Sequence, residues 1–535
     1  MLVVAVQLVA FFVVNASFVE RRIGAASGDR VVSVGHASVN LIAGRVRLEN
    51  VHVGTTDRAT TAGGRPFSVE VAEMQLTGVR LWRLLLKEGV AFNRLSLRAP
   101  RVLIEREADS IAQADSTAQV DGTAQTNSTA QADSSRKSIH EMLAAGLPRI
   151  RLASIEVRDG ALSWINADGD TTTVNGISVD VVDVDVDSAR ADDDDHLLFA
   201  DDIQLRVAPH VYSAGTDSLY ALHVGAVTAS SKLQVIDLDS LRYAPRVDDE
   251  TFMSRQANQT NRLVSAIGFS RITGFDFRRM VDEQYLYARR VVVDSAFVDV
   301  FSDKRLPERP VRPATMPHEL LQRLPVRIRV DTIYVTRADV FYSEIRPDAV
   351  DRGSVSFEKT RAVVTDIRTD GTDVEKPATL DVRTQLFGAP ELHTQIRYWL
   401  QEPTLRITYT GTLDETDIEV ANGVFFNLIG LRTTSGHVDN LWFDVEARGR
   451  LATGELRVLY NDLALEIRDM SGGRTTLVHR LATFITDDVK LKRSNPPEEG
   501  APRVAVIRHE RAPDDSIFKF LWHSLRQGML DTAGL

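Results

Sequence analysis

The chain of 535 residues contains no cysteine. Disulfide bonds, thiolate metal sites and cysteine nucleophiles are therefore excluded, although this absence leaves the redox compartment open. Lysine is also scarce, since the 63 basic residues include only nine lysines and arginine supplies the rest. The net charge of −11 argues against a nucleic-acid partner, because such proteins neutralise phosphates with basic residues.

Charged side chains are missing altogether from residues 1–19. A helix of that length would span roughly 28 Å, enough for the hydrocarbon core of a bilayer. We expect these residues to form a retained transmembrane anchor, with a cleaved signal peptide and a buried core helix as the alternatives. A signal peptide needs a basic start, which this segment lacks. Without flanking basic residues before it, the positive-inside rule does not set its orientation.

The sequence also lacks the motifs of common enzymes, including a G-x-S-x-G elbow, a P-loop and G-x-G-x-x-G. Residues 318–322 begin like a zincin helix, but Gln322 stands where the second metal-binding histidine is required. We interpret the acidic run at residues 192–195 as a solvated hairpin tip, because consecutive carboxylates seldom converge on one calcium ion. The twelve histidines are treated as surface or strand residues. We therefore expect no catalysis, no metal and no other cofactor.

The chain does contain a ten-residue pattern that occurs four times, at residues 95–104, 155–164, 291–300 and 333–342. It reads apolar-x-apolar-x-x-small-x-apolar-x-apolar. Alternation with period two predicts strands with one apolar face and one charged face. The central step of three would turn the apolar face to solvent unless a β-bulge or kink absorbs the extra residue. A proline, glycine or alanine lies near each step, where such a bend is easiest.

Other segments differ in kind. Residues 107–137 hold a hexapeptide array almost free of large apolar groups, which predicts a disordered surface insertion rather than a binding repeat. Residues 246–283 look mostly helical, and residues 315–324 predict a short helix. Ser516 can cap a terminal helix that either docks on the end of the sheet or binds a membrane surface or partner. Its predicted apolar face consists of Phe518, Leu521, Trp522, Leu525 and Met529.

The one-sided strands raise the question of what covers their apolar face. Two sheets can bury each other in a sandwich, or a long curved sheet can keep an open apolar trough. A trough would suit acyl chains, which need only dispersion contacts and desolvation. At about 0.8 kcal/mol per buried CH₂, a sixteen-carbon chain would gain on the order of 10 kcal/mol before ordering costs. Such a site needs no polar motif.

The sequence resembles the AsmA-like family, which includes TamB relatives. The resemblance lies in the uncharged amino-terminal segment and in residues 18–23, 34–51, 95–106, 155–164, 435–443 and 454–463. It implies a single-pass inner-membrane anchor and a periplasmic β-groove resembling those of bridge-like lipid-transfer proteins. It also implies a role in phospholipid traffic to the outer membrane and in envelope integrity. The family offers no catalytic residues to carry over. This chain departs from it in the missing basic residues before the anchor and in the hexapeptide insertion.

We therefore expect a mainly β protein. An N-terminal transmembrane helix would precede a long, curved, mostly antiparallel and repetitive β-sheet that forms an open groove, with few short helices. The expected organisation is an anchor (1–19), a first β unit (20–106), the insertion (107–137), a middle groove region with short helices (138–323), a C-terminal groove region (324–480), and a linker, short strand and amphipathic helix (481–535).

The expected partners are phospholipid acyl chains and the inner membrane, with other envelope proteins as further candidates. The bulk of the chain would lie in the periplasm. The alternative is a structural or assembly factor with a closed sandwich core that binds envelope proteins, and an enzyme of unrecognised type is the remaining class. The residues expected to line the groove are Leu97, Val157, Leu162, Val293, Val298, Val335, Val340, Ile407 and Phe443.

Overall fold

The computed structural model of the chain describes residues 30–40, 43–55, 67–78, 90–105, 150–165, 171–186, 197–212, 219–310, 313–347, 352–424, 431–467 and 492–534. The expected anchor (1–19) and insertion (107–137) lie outside these residues. Among the helices of the described ranges, none has the length and hydropathy needed to span a membrane.

The described chain is mainly β, with 64 % in strands that form open, mostly antiparallel sheet, and it has few helices. This confirms the predicted fold class at that level. The chain divides into two compact units. The first comprises Met1–Asp217, His223–Leu238 and Asp276–Glu283, and the second comprises Ser218–Leu222, Asp239–Phe275 and Gln284–Leu535. The expected boundary at residues 323 and 324 therefore falls inside the second unit.

The strands of the first unit are β1 (Arg30–Asn40), β2 (Arg45–Thr55), β3 (Phe67–Thr77), β4 (Val90–Glu105), β5 (Ile150–Ile165), β6 (Thr171–Val186), β7 (Ala200–Val207), β8 (His210–Tyr212), β10 (Val227–Ser230) and β11 (Val235–Leu238). Strand β9 (Tyr220–Val224) begins in the second unit and ends in the first. A short helix, Phe277–Glu283, also belongs to the first unit.

The strands of the second unit are β12 (Leu241–Pro245), β13 (Asn261–Phe275), β14 (Tyr285–Asp303), β15 (Arg327–Ile345), β16 (Gly353–Arg368), β17 (Ala378–Leu386), β18 (Glu391–Tyr398), β19 (Arg406–Leu413), β20 (Thr416–Asp417), β21 (Leu431–Arg448), β22 (Leu451–Ile467) and β23 (Ala505–Glu510). Numbered along the chain, the helices are α1 (Asp249–Ser254), α2 (Phe277–Glu283), α3 (Pro317–Gln322), α4 (Asn422–Val424) and α5 (Ile517–Ala533), with a 3-10 helix at Ile418–Ala421.

Most neighbouring strands of the described ranges pair antiparallel, whereas β4 with β5 and β14 with β15 are parallel pairs. Parallel neighbours need a long crossover connection, whereas antiparallel strands can be joined by a tight turn. Residues 106–149 make the first crossover, and the expected insertion falls within it. Residues 304–326 make the second, which carries α3 and confirms the short helix predicted there.

The prediction of a mostly helical segment at residues 246–283 is wrong. Only α1 and α2 are helical there. Between them lies β13, a strand of fifteen residues. Leu263, Ile267 and Ile272 of this strand lie opposite apolar residues of β14. Pairing with a neighbouring strand, which a single segment does not reveal, stabilises the extended conformation here.

The largest core lies at the carboxyl end of the second unit, between β19, β21, β22, β23 and α5. Ser516 accepts a hydrogen bond from the Lys519 N–H, which confirms the predicted cap. The apolar face was predicted only in part, since Leu521, Leu525 and Met529 pack on the core while Phe518 is 60 % exposed. The buried residues of the helix are Phe520, Ser524, Gly528 and Thr532, so the centre of its packed face differs from the predicted one.

Candidate functional site

The four copies of the ten-residue pattern form two parallel, in-register strand pairs. In β4 and β5, Leu97 lies directly opposite Val157. In β14 and β15, Val293 lies opposite Val335 and Val298 opposite Val340. Leu162 is paired with Val102 in the same way. Seven of the nine predicted lining residues therefore occupy equivalent places in two duplicated strand pairs, and all seven are half-buried.

The predicted irregularity is present at the step of three. Ala99, Asp159 and Ser295 have left-handed backbone with φ of 45°, 56° and 55°. The pairing of β5 with β6 and of β15 with β16 shifts at the matching positions, around Gly160 and Ala338. A left-handed residue in a strand bends it and changes which side the following residues face. The prediction of a bulge or kink at this step is confirmed.

Strand β2 shows that the step keeps the apolar residues on one side. Leu48 and Val51 flank Asn50, whose φ is 53°. Both side chains are 5 % exposed and belong to the same buried cluster. Leu97 of β4 packs against that cluster. In a regular strand, without the left-handed residue, Leu48 and Val51 would lie on opposite faces and one of them would be in solvent.

In the first unit, directly paired residues build an uninterrupted apolar row across nine strands. Directly opposite residues lie on the same face of a sheet, so the register defines this row without further assumption. We call it the first stripe, and it consists of Ala37, Leu48, Met74, Leu97, Val157, Val179, Leu205, Ala229 and Ile236. From Met74 onward its members are half-buried.

The second unit contains a matching row across ten strands. We call it the second stripe, and it consists of Ile272, Val291, Ile333, Val364, Leu380, Ile396, Tyr409, Val445, Gly454 and Ile507. Val293 and Val335 belong to the adjacent row on the same face. The members from Ile272 to Ile396 are half-buried, whereas Tyr409, Val445 and Ile507 are at most 2 % exposed.

Helix α5 covers the buried end of the second stripe. The Tyr409 hydroxyl lies 2.5 Å from the Ser524 Oγ on this helix. Gly528 allows the close approach, because a Cβ there would lie 3.1 Å from the Leu456 Cβ and 3.2 Å from the Ile507 Cγ1. Two of the predicted lining residues, Ile407 and Phe443, lie in this closed core with 1 % and 3 % exposure. The packed helix leaves no open trough over them, so they are not part of the candidate site.

The face opposite the stripes is polar and carries cross-strand ion pairs. Arg94 Nε lies 3.2 Å from Glu156 Oε1, and Arg158 Nη2 lies 2.6 Å from Asp180 Oδ1. The hydrogen bond to Asp180 raises the pKa of Arg158. Exposed pairs of this kind stabilise a fold by only about 0–1 kcal/mol each. These charged residues lie on the solvent-exposed face of the sheet. The apolar residues lie on the opposite face.

The stripes contain no charged side chain, and Tyr409 is their one titratable residue among the positions named above. Burial raises the pKa of Tyr409 to about 12, so this phenol stays neutral at physiological pH. No acid, base or nucleophile is therefore placed on these rows. An apolar surface of this composition is suited to contacts with hydrocarbon through dispersion and desolvation.

The zincin-like start at His318 proves to be part of the core packing. The ring is 2 % exposed, and its Nδ1 lies 2.8 Å from the Tyr398 hydroxyl. Burial lowers the pKa of His318. The acidic run at residues 192–195 lies outside the described residues. The neighbouring Asp202 is used structurally, accepting hydrogen bonds from the Ser230 hydroxyl and the Lys232 N–H.

Sequence reasoning did not identify the residues that connect the repeat copies into rows. Val179, Leu205, Val364, Leu380 and Ile396 belong to the stripes although none lies in a ten-residue copy. Their strands carry ordinary period-two alternation, which was a usable signal for a one-sided face. The register that aligns them with the repeats depends on pairing between strands and cannot be read from one segment.

A scan against protein-family models and a search of curated proteins both found no match.

Proposed function

We propose that the two stripes bind phospholipid acyl chains and conduct lipid between the membranes of a cell envelope. In this proposal residues 1–19 anchor the chain in the inner membrane and the β units lie in the periplasm, as the resemblance to AsmA-like proteins suggests. The protein contributes to outer-membrane biogenesis by this route, without catalysis or a cofactor.

The observation that carries the proposal is the continuity of the stripes. An apolar row crosses nine strands in one unit and ten in the other, without a charged residue in either. Most members are half-buried, so hydrocarbon can still reach them. Each buried CH₂ contributes about 0.8 kcal/mol, so a row of valines and leucines binds a chain strongly without recognising its head group.

The covered end of the second stripe gives the proposed lipid path a limit. Phe520 and Ile507 are fully buried where α5 packs on β23. A chain bound along the second stripe must therefore leave the apolar face before it reaches this core. The open members Val364 and Leu380 lie on the accessible side of that limit.

Site-specific photo-cross-linking in cells tests the proposal. A photoreactive side chain replaces Val364, on the second stripe, or the adjacent Val363, which faces the other side and is 36 % exposed. We expect phospholipid adducts from position 364 and few or none from position 363. Equal labelling at the two positions, or no lipid adduct at 364, would contradict the proposal.

A second candidate function is that of an envelope assembly factor, favoured by exposed apolar side chains near the carboxyl end. Val506 on β23 is 71 % exposed, and Phe518 and Trp522 on α5 are 60 % and 38 % exposed. Aromatic side chains such as Phe518 and Trp522 are enriched at protein interfaces. The same photoreactive group at Phe518 separates the candidates, since protein adducts there combined with no lipid at 364 favour the assembly role.

A further inference from the structure

Two histidines and one aspartate converge where the terminal strand and helix meet. His509 lies on β23, His523 lies on α5, and Asp515 lies in the turn between them. The closest ligand atoms of the three side chains lie within 4.8 Å of one another. This is the one such group of three or more metal-ligating side chains within the described ranges.

The geometry suits a tetrahedral metal ion. His523 Nδ1 lies 3.6 Å from Asp515 Oδ2. Two ligands that each lie about 2.1 Å from a tetrahedral ion are separated by about 3.4 Å. The imidazole rings of His509 and His523 are edge-on to each other, with centroids 5.8 Å apart. All three ligand atoms lie within 4.8 Å of one another, so they face a common volume.

The carboxylate of the cluster is shielded from water, and one imidazole nitrogen beside it has no hydrogen-bond partner among the described residues. Asp515 is 1 % exposed. His509 Nε2 is buried and makes no hydrogen bond to any described residue. Buried polar atoms are nearly always paired, so an unpaired imidazole nitrogen beside a carboxylate and a second imidazole points to a missing ligand.

We propose that His509, Asp515 and His523 bind a divalent transition metal ion, with zinc as the best match. Two imidazole nitrogens and one carboxylate oxygen are a donor set that zinc accepts, and the fourth position is left for water. Ligand spacing along the chain does not indicate this site, because one ligand comes from a strand, one from a turn and one from a helix.

Lys519 is the competitor for the carboxylate. Its Nζ lies 2.8 Å from Asp515 Oδ1 and 3.2 Å from Asp514 Oδ2. The lysine side chain is 45 % exposed, so it can keep Asp514 and release Asp515 when the cation enters. Removing this ammonium group should therefore strengthen metal binding. If the ion pair were purely structural, its removal would leave metal binding unchanged.

The bound ion would join three segments that cover the end of the second stripe. His509 and Phe520 lie with ring centroids 6.0 Å apart, so the site borders the closed core. Metal binding to the folded state stabilises it by mass action. The site stands independently of the proposed lipid path, since the ligands lie outside the stripes.

A cobalt titration of the full chain in detergent tests this site, because tetrahedral cobalt absorbs visible light and zinc displaces it. We expect one cobalt per chain, an affinity loss of at least tenfold in His509→Gln and in His523→Gln, and a gain in Lys519→Met. His393→Gln is the matched control, since that histidine also lies beside an aspartate, 3.1 Å from Asp381 Oδ1. It should bind cobalt like the wild-type protein.

The outcomes that would overturn the site are equally specific. Absence of a saturable visible band in the folded wild-type protein would do so, as would unchanged binding in His523→Gln. If the histidine variants fail to fold, the wild-type protein and Lys519→Met still decide the matter. Zinc should raise the melting temperature of the wild-type protein, and the proposal fails if it does not.

Discussion

At the scale of single residues, the same strand alternation leads to two environments, an accessible row that includes Val157 and Val335 and a closed core that includes Ile407 and Phe443. Val157 and Val335 were found from a local repeat, and each lies opposite another copy of that repeat. Ile407 and Phe443 have the same alternation, yet they are closed off by a helix more than 70 residues later in the chain. Alternation shows which residues share a face, but it does not show what covers that face.

Asp303 offers a residue-scale prediction of pH dependence. The hydrogen bonds from the Arg305 guanidinium, at 2.9 Å and 2.6 Å, hold the pKa of this carboxyl below its usual range. A group with a lowered pKa in the folded state stabilises the fold above its unfolded pKa, near 3.9, and loses this contribution as the pH falls further. Stability should therefore decline below about pH 4.

The variant Asp303→Asn removes that contribution. We expect a loss of about 1–2 kcal/mol at pH 7 and a smaller further loss between pH 5 and pH 3 than in the wild-type protein. Thermal unfolding at pH 7, pH 5 and pH 3 measures both effects. Glu375→Gln, at a carboxylate that is 90 % exposed, should behave like the wild-type protein. An unchanged acid profile in Asp303→Asn would contradict this account.

At the scale of elements, the step of three was readable because its cause is local. The apolar spacing in the sequence cannot keep all apolar residues on one face of a regular strand. In the structure, left-handed residues such as Asp159 keep them on one face. The sequence predicted the packed face of α5 only in part. The apolar residues Phe518 and Trp522 suggested one face, but the helix docks through the small residues Ser524 and Gly528, which permit closer packing.

Gly528 provides the element-scale prediction. In Gly528→Val the added side chain would press on Leu456 and Ile507, which are fully buried and cannot withdraw. Overpacking of this kind costs about 1–3 kcal/mol, so α5 should dock less firmly and the protein should unfold earlier in denaturant. Gly423→Val is the matched control, because nothing lies within 4 Å of a Cβ there. Equal stability of the two variants would show that α5 is not closely packed.

At the scale of the whole molecule, the same arrangement occurs in both units. Each contains an antiparallel strand, a parallel pair with a crossover, and a following antiparallel strand, and the pairing is irregular at equivalent positions. The mainly β class and the repeat were predictable, because they follow from alternation and spacing. The parallel pairing was not, since it joins strands separated by a crossover rather than by a turn.

The duplicated arrangement is what makes a long apolar face possible. A sheet grows by about 4.8 Å for each added strand, so within each unit the stripe lengthens with every strand and needs no new motif. The absence of charge from the described stripe residues is therefore a property of each row of strands rather than of one pocket. This is why a search for catalytic or binding motifs has little to find on this surface.

The most direct test of the lipid-binding account is to extract and count phospholipids from the purified full chain by mass spectrometry, comparing Val364→Asp with Val363→Asp. These neighbouring valines receive the same change on opposite faces of β16. We predict that the protein carries several-fold less phospholipid when the charge is on the stripe, at 364, and an unchanged amount when it is at 363. Equal lipid content in two folded variants would contradict the claim that the apolar stripe binds lipid.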